Sequence, residues 1–311
     1  MLHISRYERP QTIEEAQALL KKSRAARVIG GGVWMRLGER KLALGIDLSD
    51  LGLDRIERVD GETLKPASAP SRGNAWAVGA MVSLHALECH ADFNAQTAGV
   101  FERSVRDIVG VQMRNLATVG GSLFGRFGYS DVLCALLPLD CEVVLAQEGR
   151  VPLAEFACRK GYEHDILTHL IVHDHRYRAS FQCVRRSATD FSVLNVCAAE
   201  WDGSWRVAVG ARPARARLVT GEALGLPDAF DDRELDACCR RLSELPMGSN
   251  MRGSERYRRH LASALGRRAL MEAAGVSERE LARRRRDRRA IERAEEREAQ
   301  ALERAERGGE A

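Results

Sequence analysis

Residues 114–123 read Arg114-Asn115-Leu116-Ala117-Thr118-Val119-Gly120-Gly121-Ser122-Leu123, with a hydroxyl side chain on each side of a glycine pair. Glycine lets the backbone approach a ligand closely, and successive backbone N–H groups in such a turn can surround an anion. The side chains of Thr118 and Ser122 can donate hydrogen bonds to phosphate oxygens, while the glycine amides line the same surface. The segment therefore predicts a binding loop for a phosphate-bearing ligand.

A carboxylate follows this loop. Asp131 stands nine residues after Ser122, at the start of an apolar run with helical spacing. Its oxygens can accept hydrogen bonds from the hydroxyls of a sugar or a ribityl chain. They can equally cap the N-terminus of the helix, a position where aspartate is among the preferred residues. The residues alone leave both interpretations open.

A second glycine segment lies nearer the N-terminus. Residues 27–29 have the apolar character of a short strand, and Gly30, Gly31 and Gly32 follow directly. The turn offers an amide nest for a pyrophosphate, although three glycines alone are more often a flexible turn. The segment lacks the G-x-G-x-x-G spacing of a dinucleotide-binding helix start and the Lys-Ser or Lys-Thr of a P-loop.

The order of these segments resembles a known family. Residues 112–123, Asp131 and residues 136–145 (Leu-Leu-Pro-Leu-Asp-Cys-Glu-Val-Val-Leu) are similar to the FAD-binding subunit of the molybdenum hydroxylases. This is the family of xanthine dehydrogenase and carbon monoxide dehydrogenase. Residues 28–35 are similar to its first glycine loop, and residues 253–270 to the end of its C-terminal domain. The resemblance covers residues 1–274 and leaves the remainder outside.

The resemblance implies FAD as the cofactor, held by both glycine segments and three further positions. The residues it implies are Ile29, Gly30, Gly31, Gly32, Val33, Trp34, Met35, Thr118, Gly120, Gly121, Ser122, Asp131, Leu167 and Gln182. It implies no catalytic acid, base or nucleophile in this chain, and no metal ligand.

Several positions depart from the family's pattern. Val33 and Trp34 replace a small hydroxyl residue and an acidic residue, so one polar ligand of the nucleotide is missing and Trp34 can instead pack against a ring. Ser122 replaces an asparagine but keeps a donor and an acceptor. Residues 125–130 (Gly-Arg-Phe-Gly-Tyr-Ser) replace a small turn that contains proline.

Two implied flavin contacts lie further along the chain. The family's dehydrogenases often have lysine at the position of Gln182. The resemblance therefore implies that this chain lacks a positive charge near the isoalloxazine. Leu167 matches a position that packs on the flavin, and a core strand leucine explains it equally well.

The resemblance also implies partners and a role. The flavin subunit of this family works with a molybdopterin-binding large subunit and a small subunit that carries [2Fe–2S] clusters. The implied role is electron transfer from those clusters through FAD to NAD or another acceptor, with the redox chemistry supplied by the cofactor. An alternative is a non-enzymatic scaffold subunit of the same fold with weakened or lost FAD binding. A self-sufficient flavin oxidoreductase is a third hypothesis.

The predicted strands and helices divide the chain into four regions, and the predicted fold class of the chain is α+β. Residues 1–54 are expected to form a β-α-β unit whose helix is capped by Thr12. This unit and residues 55–174 are the two expected parts of the FAD-binding domain. Residues 175–274 show three strands and then two helices, typical of an antiparallel sheet covered by helices. Residues 275–311 form a charged helical or disordered tail, since residues 277–311 hold eleven arginines and ten acidic residues.

Composition excludes several other classes. The net charge of +4 and the aromatic content of 5% are too small to favour nucleic-acid binding. No apolar run is long enough for a membrane span, and the first residues lack a secretory signal, so we expect a cytoplasmic protein. The eight cysteines include no C-x-x-C pair, which favours reduced thiols over a zinc or iron–sulfur site. The histidines at 164, 169, 173 and 175 are expected at the surface or in turns.

Overall fold

A computed structural model describes residues 2–39, 41–60 and 73–308, with side chains up to residue 293. Within these ranges the strands form four sheets of two, five, four and three strands, and helices cover them. The architecture confirms the α+β prediction. It consists of a small parallel sheet near the N-terminus, a central antiparallel sheet, and a second antiparallel sheet with two long helices.

The N-terminal unit is built around a parallel sheet. Its elements are β1 (His3–Ile4), β2 (Tyr7–Glu8), α1 (Ile13–Lys22), β3 (Ala26–Ile29), β4 (Lys41–Leu42) and β5 (Leu44–Asp47). The sheet order is β2-β5-β3, with both pairs parallel. The predicted helix start is confirmed, because the Thr12 side chain accepts a hydrogen bond from the Glu15 amide at 3.1 Å. Ala16, Leu19 and Leu20 bury the apolar face of α1.

The central unit is a five-stranded antiparallel sheet, ordered β6-β7-β10-β8-β9. Its strands are β6 (Ile56–Asp60), β7 (Asn74–Gly79), β8 (Cys141–Leu145), β9 (Gly149–Pro152) and β10 (Leu167–His173). Short helices pack on one face and complete the largest apolar core. They are α2 (Leu84–Glu88), α3 (Ala91–Gln96), α4 (Val100–Val105), α5 (Val111–Leu116), α6 (Val119–Phe124), α7 (Asp131–Leu136) and α8 (Leu153–Cys158).

The third unit is a four-stranded antiparallel sheet covered by helices. Its elements are β11 (Arg178–Arg185), β12 (Ser192–Trp201), β13 (Ser204–Gly210), β14 (Arg217–Thr220), α9 (Gly221–Leu224), α10 (Asp232–Glu244) and α11 (Glu255–Ala274). The first three strands and the two long helices match the sequence prediction, which missed β14 and α9. A capping box between Asp231 and Glu234 starts α10.

The charged C-terminal segment forms a long helix, α12 (Glu278–Gly308). Its first turns are not a separate tail, because Leu281 is fully buried in the core beneath α10 and α11. Arg284 donates to the carbonyl of Phe230 at 3.3 Å, and Arg285 pairs with Asp232 at 3.1 Å. The segment is helical, and in its first turns one leucine among many charges anchors the helix to the third unit.

The cysteines and histidines show a mixed outcome. All eight cysteines are free thiols, five of them buried, and burial raises the pKa of the Cys134 and Cys197 thiols. His173 contradicts the surface expectation, since it is fully buried with Nε2 2.7 Å from the Glu142 carboxylate. Its hydrogen bond, together with Arg150, lowers the pKa of Glu142 to about 2.

Two further observations concern the described part of the chain. No helix in it is long and apolar enough to cross a membrane. No three of its histidine, cysteine, aspartate or glutamate side chains are placed to share a metal ion.

The buried position of Leu281 predicts that α12 contributes to stability. Leu281→Ala removes a fully buried side chain and should lower the free energy of unfolding by about 2–5 kcal/mol. Ile291→Ala, at a position on the same helix that is 59% exposed, should change it by less than about 0.5 kcal/mol. Urea unfolding of both variants measures the difference. Equal effects would show that the start of α12 is not part of the core.

Candidate functional site

The first glycine segment turns sharply at the end of β3. Gly31 and Gly32 have φ values of +72° and +66°, which side chains other than glycine rarely adopt. A Cβ atom on Gly31 would lie 1.8 Å from the carbonyl oxygen of Leu116. Glycine is therefore required at Gly31 by both the dihedral angle and the space.

The backbone amides of this turn are available to a ligand. Ile29 belongs to the β3 ladder, and Met35 begins a short 3-10 helix. Between them, the amides of residues 31–34 make no hydrogen bond within the part of the chain that the structure describes. Consecutive unpaired N–H groups in a left-handed turn form an anion-binding nest. The first segment thus offers what a pyrophosphate needs, without any contribution from the side chains of Val33 and Trp34.

The second glycine segment uses its amides differently. It forms α6 rather than a free loop. The amides of Val119 and Gly120 donate to the carbonyls of Val82 and Ala80 at 3.0 and 2.9 Å. The amide of Gly121 donates to the Thr118 hydroxyl at 3.1 Å.

The hydroxyls of this segment are occupied as well. The Ser122 hydroxyl donates to the Thr118 carbonyl at 2.8 Å, and that of Thr118 donates to the Gly30 carbonyl at 3.2 Å. Contact of these amides and hydroxyls with a ligand stays a prediction. In the structure they hold α6 to the end of β7 and to the first glycine turn.

Asp131 has a role that the sequence did not predict. Ser130 is the N-cap of α7, and its hydroxyl accepts from the amide of Leu133. The Asp131 carboxylate is buried and accepts from Arg185 at 2.7 Å, Ser192 at 2.7 Å and Asn195 at 2.5 Å. The carboxylate therefore does not cap the helix, and its contact with a ribityl chain stays a prediction. It joins α7 to β11 and β12.

Four aromatic rings gather beside the first glycine turn. These residues, called the aromatic cluster below, are Trp34, Phe127, Tyr129 and Phe191. Phe127 and Tyr129 stack with ring centroids 5.2 Å apart, and Trp34 lies 5.3 Å from Phe127. Trp34 and Phe191 remain 46% and 40% exposed, so each keeps an open ring surface. Sequence analysis found Trp34 but missed the other three, although residues 125–130 had already departed from the family's turn.

Polar atoms without partners accumulate near this cluster. The Tyr129 hydroxyl, the Arg185 Nε and the Asn195 Oδ1 are buried and have no hydrogen-bond partner among the described residues. Burial raises the pKa of Tyr129, so its hydroxyl stays protonated. Buried polar groups in native proteins usually have partners. Their grouping around Asp131 suits a site that accepts a polar ligand.

Two further residues implied by the family resemblance make contacts in the core and with α11. Leu167 is 4% exposed and belongs to the core beneath the central sheet. The amide of Gln182 donates to Ser180 and to Glu272 of α11. Leu167 packs in the core and Gln182 is hydrogen-bonded to α11, and contact of either residue with FAD stays a prediction.

The geometry agrees with a family comparison. Residues 3–172 match the family described as the FAD binding domain in molybdopterin dehydrogenase. The chain belongs to this family. FAD is accordingly its cofactor, and the amides of the first glycine turn fit the phosphates of that group. The sequence-based recognition of a molybdenum hydroxylase flavoprotein is confirmed. Among curated protein sequences, none matches the chain.

Solved structures show that the fold extends beyond the matched residues. Reconstituted CO dehydrogenase from Oligotropha carboxidovorans is 21% identical, with 87% of this chain and 98% of that chain covered and a TM-score of 0.72. Carbon monoxide dehydrogenase from Hydrogenophaga pseudoflava is 19% identical, with 86% and 96% covered and a TM-score of 0.73. Quinoline 2-oxidoreductase from Pseudomonas putida 86 is 19% identical, with 88% and 97% covered and a TM-score of 0.73.

The contacts of Asp131 predict that it is a stability determinant of this FAD-binding chain. Asp131→Asn leaves Arg185, whose side chain is 8% exposed, without its carboxylate. Removing one partner of a buried ion pair costs about 3–5 kcal/mol, so urea unfolding should show a loss of that size. The control, Asp202→Asn, changes a side chain that is 71% exposed and should have little effect. Equal stability of Asp131→Asn and the parent would contradict the assignment.

Proposed function

We propose that this chain is the FAD-binding electron-transfer subunit of a molybdenum hydroxylase. In this proposal it accepts electrons from the [2Fe–2S] clusters of a small partner subunit and passes them to NAD or another acceptor, while a large partner subunit binds molybdopterin. The observation that carries the proposal is the turn of unpaired amides at residues 31–34, in a chain of the FAD-binding family. When bound, FAD supplies the electron-transfer chemistry.

We assign different tasks to the two glycine segments. The amides of residues 31–34 hold the phosphates, and Ile29, Gly30 and Met35 keep the turn in place. Residues 118–122 support the turn from beneath, since the Thr118 hydroxyl donates to the Gly30 carbonyl. Asp131 acts indirectly, by fixing Arg185 and Asn195 beside the site.

The aromatic cluster is the proposed contact surface for a ring system of FAD. Trp34 belongs both to the glycine turn and to the cluster, so a ligand anchored by the turn reaches the exposed ring surfaces of Trp34 and Phe191. Stacking on such surfaces contributes about 1–3 kcal/mol in nucleotide binding. We therefore propose that Trp34 replaces the missing polar ligand with ring stacking. We assign no direct flavin contact to Leu167 or Gln182.

The proposed division of the chain follows the same plan. Residues 1–54 and 55–174 form the two parts of the FAD-binding domain, and residues 175–274 form the C-terminal domain. The parallel sheet, the five-stranded sheet and the four-stranded sheet support this division, as each lies within one range. Residues 275–311 are the proposed charged tail, and Leu281 packs its first turns against the C-terminal domain.

Two observations favour a second candidate, a non-enzymatic scaffold subunit with weakened or lost FAD binding. The four rings of the aromatic cluster contact one another, and the polar groups of the second glycine segment are already hydrogen-bonded within the protein. Such a chain would assemble with the same partners but hold no flavin. Measurement of bound flavin separates the two candidates.

Reconstitution with FAD tests the role of the first glycine turn. The purified chain should acquire visible flavin absorption, and Gly31→Ala should weaken FAD binding at least about tenfold, because a Cβ atom there collides with the Leu116 carbonyl. Gly38→Ala is the matched control, since Gly38 has a φ of −91° and its Cβ would lie 3.4 Å from the nearest atom. Circular dichroism establishes that both variants fold. Absence of flavin from the unaltered, folded chain would favour the scaffold instead.

Purification from the native source tests the proposed partners. The chain should co-purify with one polypeptide that carries molybdopterin and one that shows the absorption of [2Fe–2S] clusters. A substrate that is oxidised at the molybdopterin of the complex should then bleach the flavin absorption, and the same substrate should leave the flavin of the isolated chain oxidised. A chain that purifies alone and turns over a substrate by itself would contradict the subunit assignment.

A further inference from the structure

A cleft of about 450 Å³ opens beside the aromatic cluster, between the start of β12 and the loop before α11. Its polar lining comes from Arg185, Arg186, Asn250, Arg252, Ser254 and Tyr257. Sites for small molecules in proteins have volumes of about 300–1,000 Å³. The cleft therefore has the size of a ligand site, and none of its residues belongs to the glycine segments.

The charges around the cleft are unbalanced. Arg185 pairs with Asp131 at 2.7 Å, and Arg252 pairs with Asp190 at 3.0 Å. Arg186 donates to the carbonyl of Met251 at 3.0 Å and has no ion-pair partner in the described ranges. Asp107, whose charge also reaches Arg185, is itself paired with Arg106.

A fourth arginine lies beneath the floor of the cleft. Arg258 is fully buried, and its guanidinium donates to the carbonyls of Val193 and Gly248 at 2.9 and 2.8 Å. It has no carboxylate partner among the described side chains, and burial with Arg252 nearby lowers its pKa. Three guanidinium groups line the cleft and a fourth lies buried beneath it, against two paired carboxylates, which leaves an excess of two positive charges in and under the cleft.

The same contacts make the cleft rigid. Arg258 also donates to the Asn250 side chain at 2.6 Å and to the Gly253 carbonyl. Asn250 and Gly253 exchange two backbone hydrogen bonds of 3.1 Å, which close the loop that carries Arg252. A site whose groups are held in place before binding loses less conformational entropy when the ligand arrives.

We propose that this cleft binds the phosphate group of a small molecule other than FAD. A phosphate monoester carries about −1.5 to −2 charges at pH 7, which matches the excess charge, and arginine binds phosphate through two parallel hydrogen bonds. Arg252 lies 5.0 Å over the ring of Phe191, which holds this guanidinium at the edge of the cleft. The inference rests on the proposed function in one respect. Because FAD is proposed to bind at the first glycine turn, the ligand of the cleft is a different molecule.

Calorimetric titration of the full chain with inorganic phosphate at low ionic strength tests the proposal. The chain without FAD should bind phosphate, and Arg186→Gln or Arg252→Gln should each raise the Kd about tenfold, the loss expected for a hydrogen bond to a charged group. Arg240→Gln removes the same charge from an exposed position on α10 that does not line the cleft. This control should leave the Kd unchanged. Thermal unfolding establishes that all three variants fold.

The outcomes separate this proposal from the proposed function. Absence of phosphate binding, or binding that Arg186→Gln and Arg252→Gln leave unchanged, would overturn the cleft assignment whether or not the chain binds FAD. In the FAD-saturated chain the Kd for phosphate should stay the same. Competition between FAD and phosphate would show that the cleft belongs to the FAD site and would equally overturn the proposal.

Discussion

At two glycine segments the backbone packs directly against the backbone of a neighbouring element. The placement of the N-terminal unit on the central unit depends on this close packing. A Cβ atom on Gly120 would lie 2.7 Å from both Cβ and the carbonyl oxygen of Ala80, and one on Gly31 would lie 1.8 Å from the Leu116 carbonyl. These approaches seat α6 on the end of β7 and place the first glycine turn on α5 and α6. At this junction the N-terminal unit and the central unit approach backbone to backbone, while side-chain contacts such as that between Gln17 and Asp165 join them elsewhere. Because the interior is closely packed, even a methyl group at this junction would force the elements apart.

Glycine serves a different purpose in each of the two segments at this junction. In the second segment the glycines allow close packing, and their amides are consumed by the fold. In the first segment the glycines allow left-handed dihedral angles, and the amides remain free. Thr118 connects the two, since its hydroxyl accepts from Gly121 and donates to Gly30. A ligand that binds the first turn therefore stabilises a junction that the second segment has already formed.

The distant similarity to solved structures has a physical explanation in this arrangement. Identities of 19–21% accompany TM-scores of 0.72–0.73. A phosphate nest made of backbone amides depends on dihedral angles and not on side chains, so the surrounding residues can change while the turn persists. Trp34 and the ring pair at 127 and 129 stand beside this turn. The buried contacts of Asp131 hold α7 against the third sheet.

The sequence by itself determined the order of the elements, the two glycine segments and the family. Local signals suffice for these features, since strand ends, the Thr12 cap and the glycine positions depend on neighbouring residues. Three features were decided only by the tertiary structure. They are the free amides of the first glycine turn, the contacts of Asp131, and the meeting of the rings at 34, 127, 129 and 191. The tertiary structure also decided that Leu281 anchors the charged helix. These contacts join residues that are far apart in the chain. They depend on how the sheets and helices pack, and a local sequence pattern contains no information about that packing.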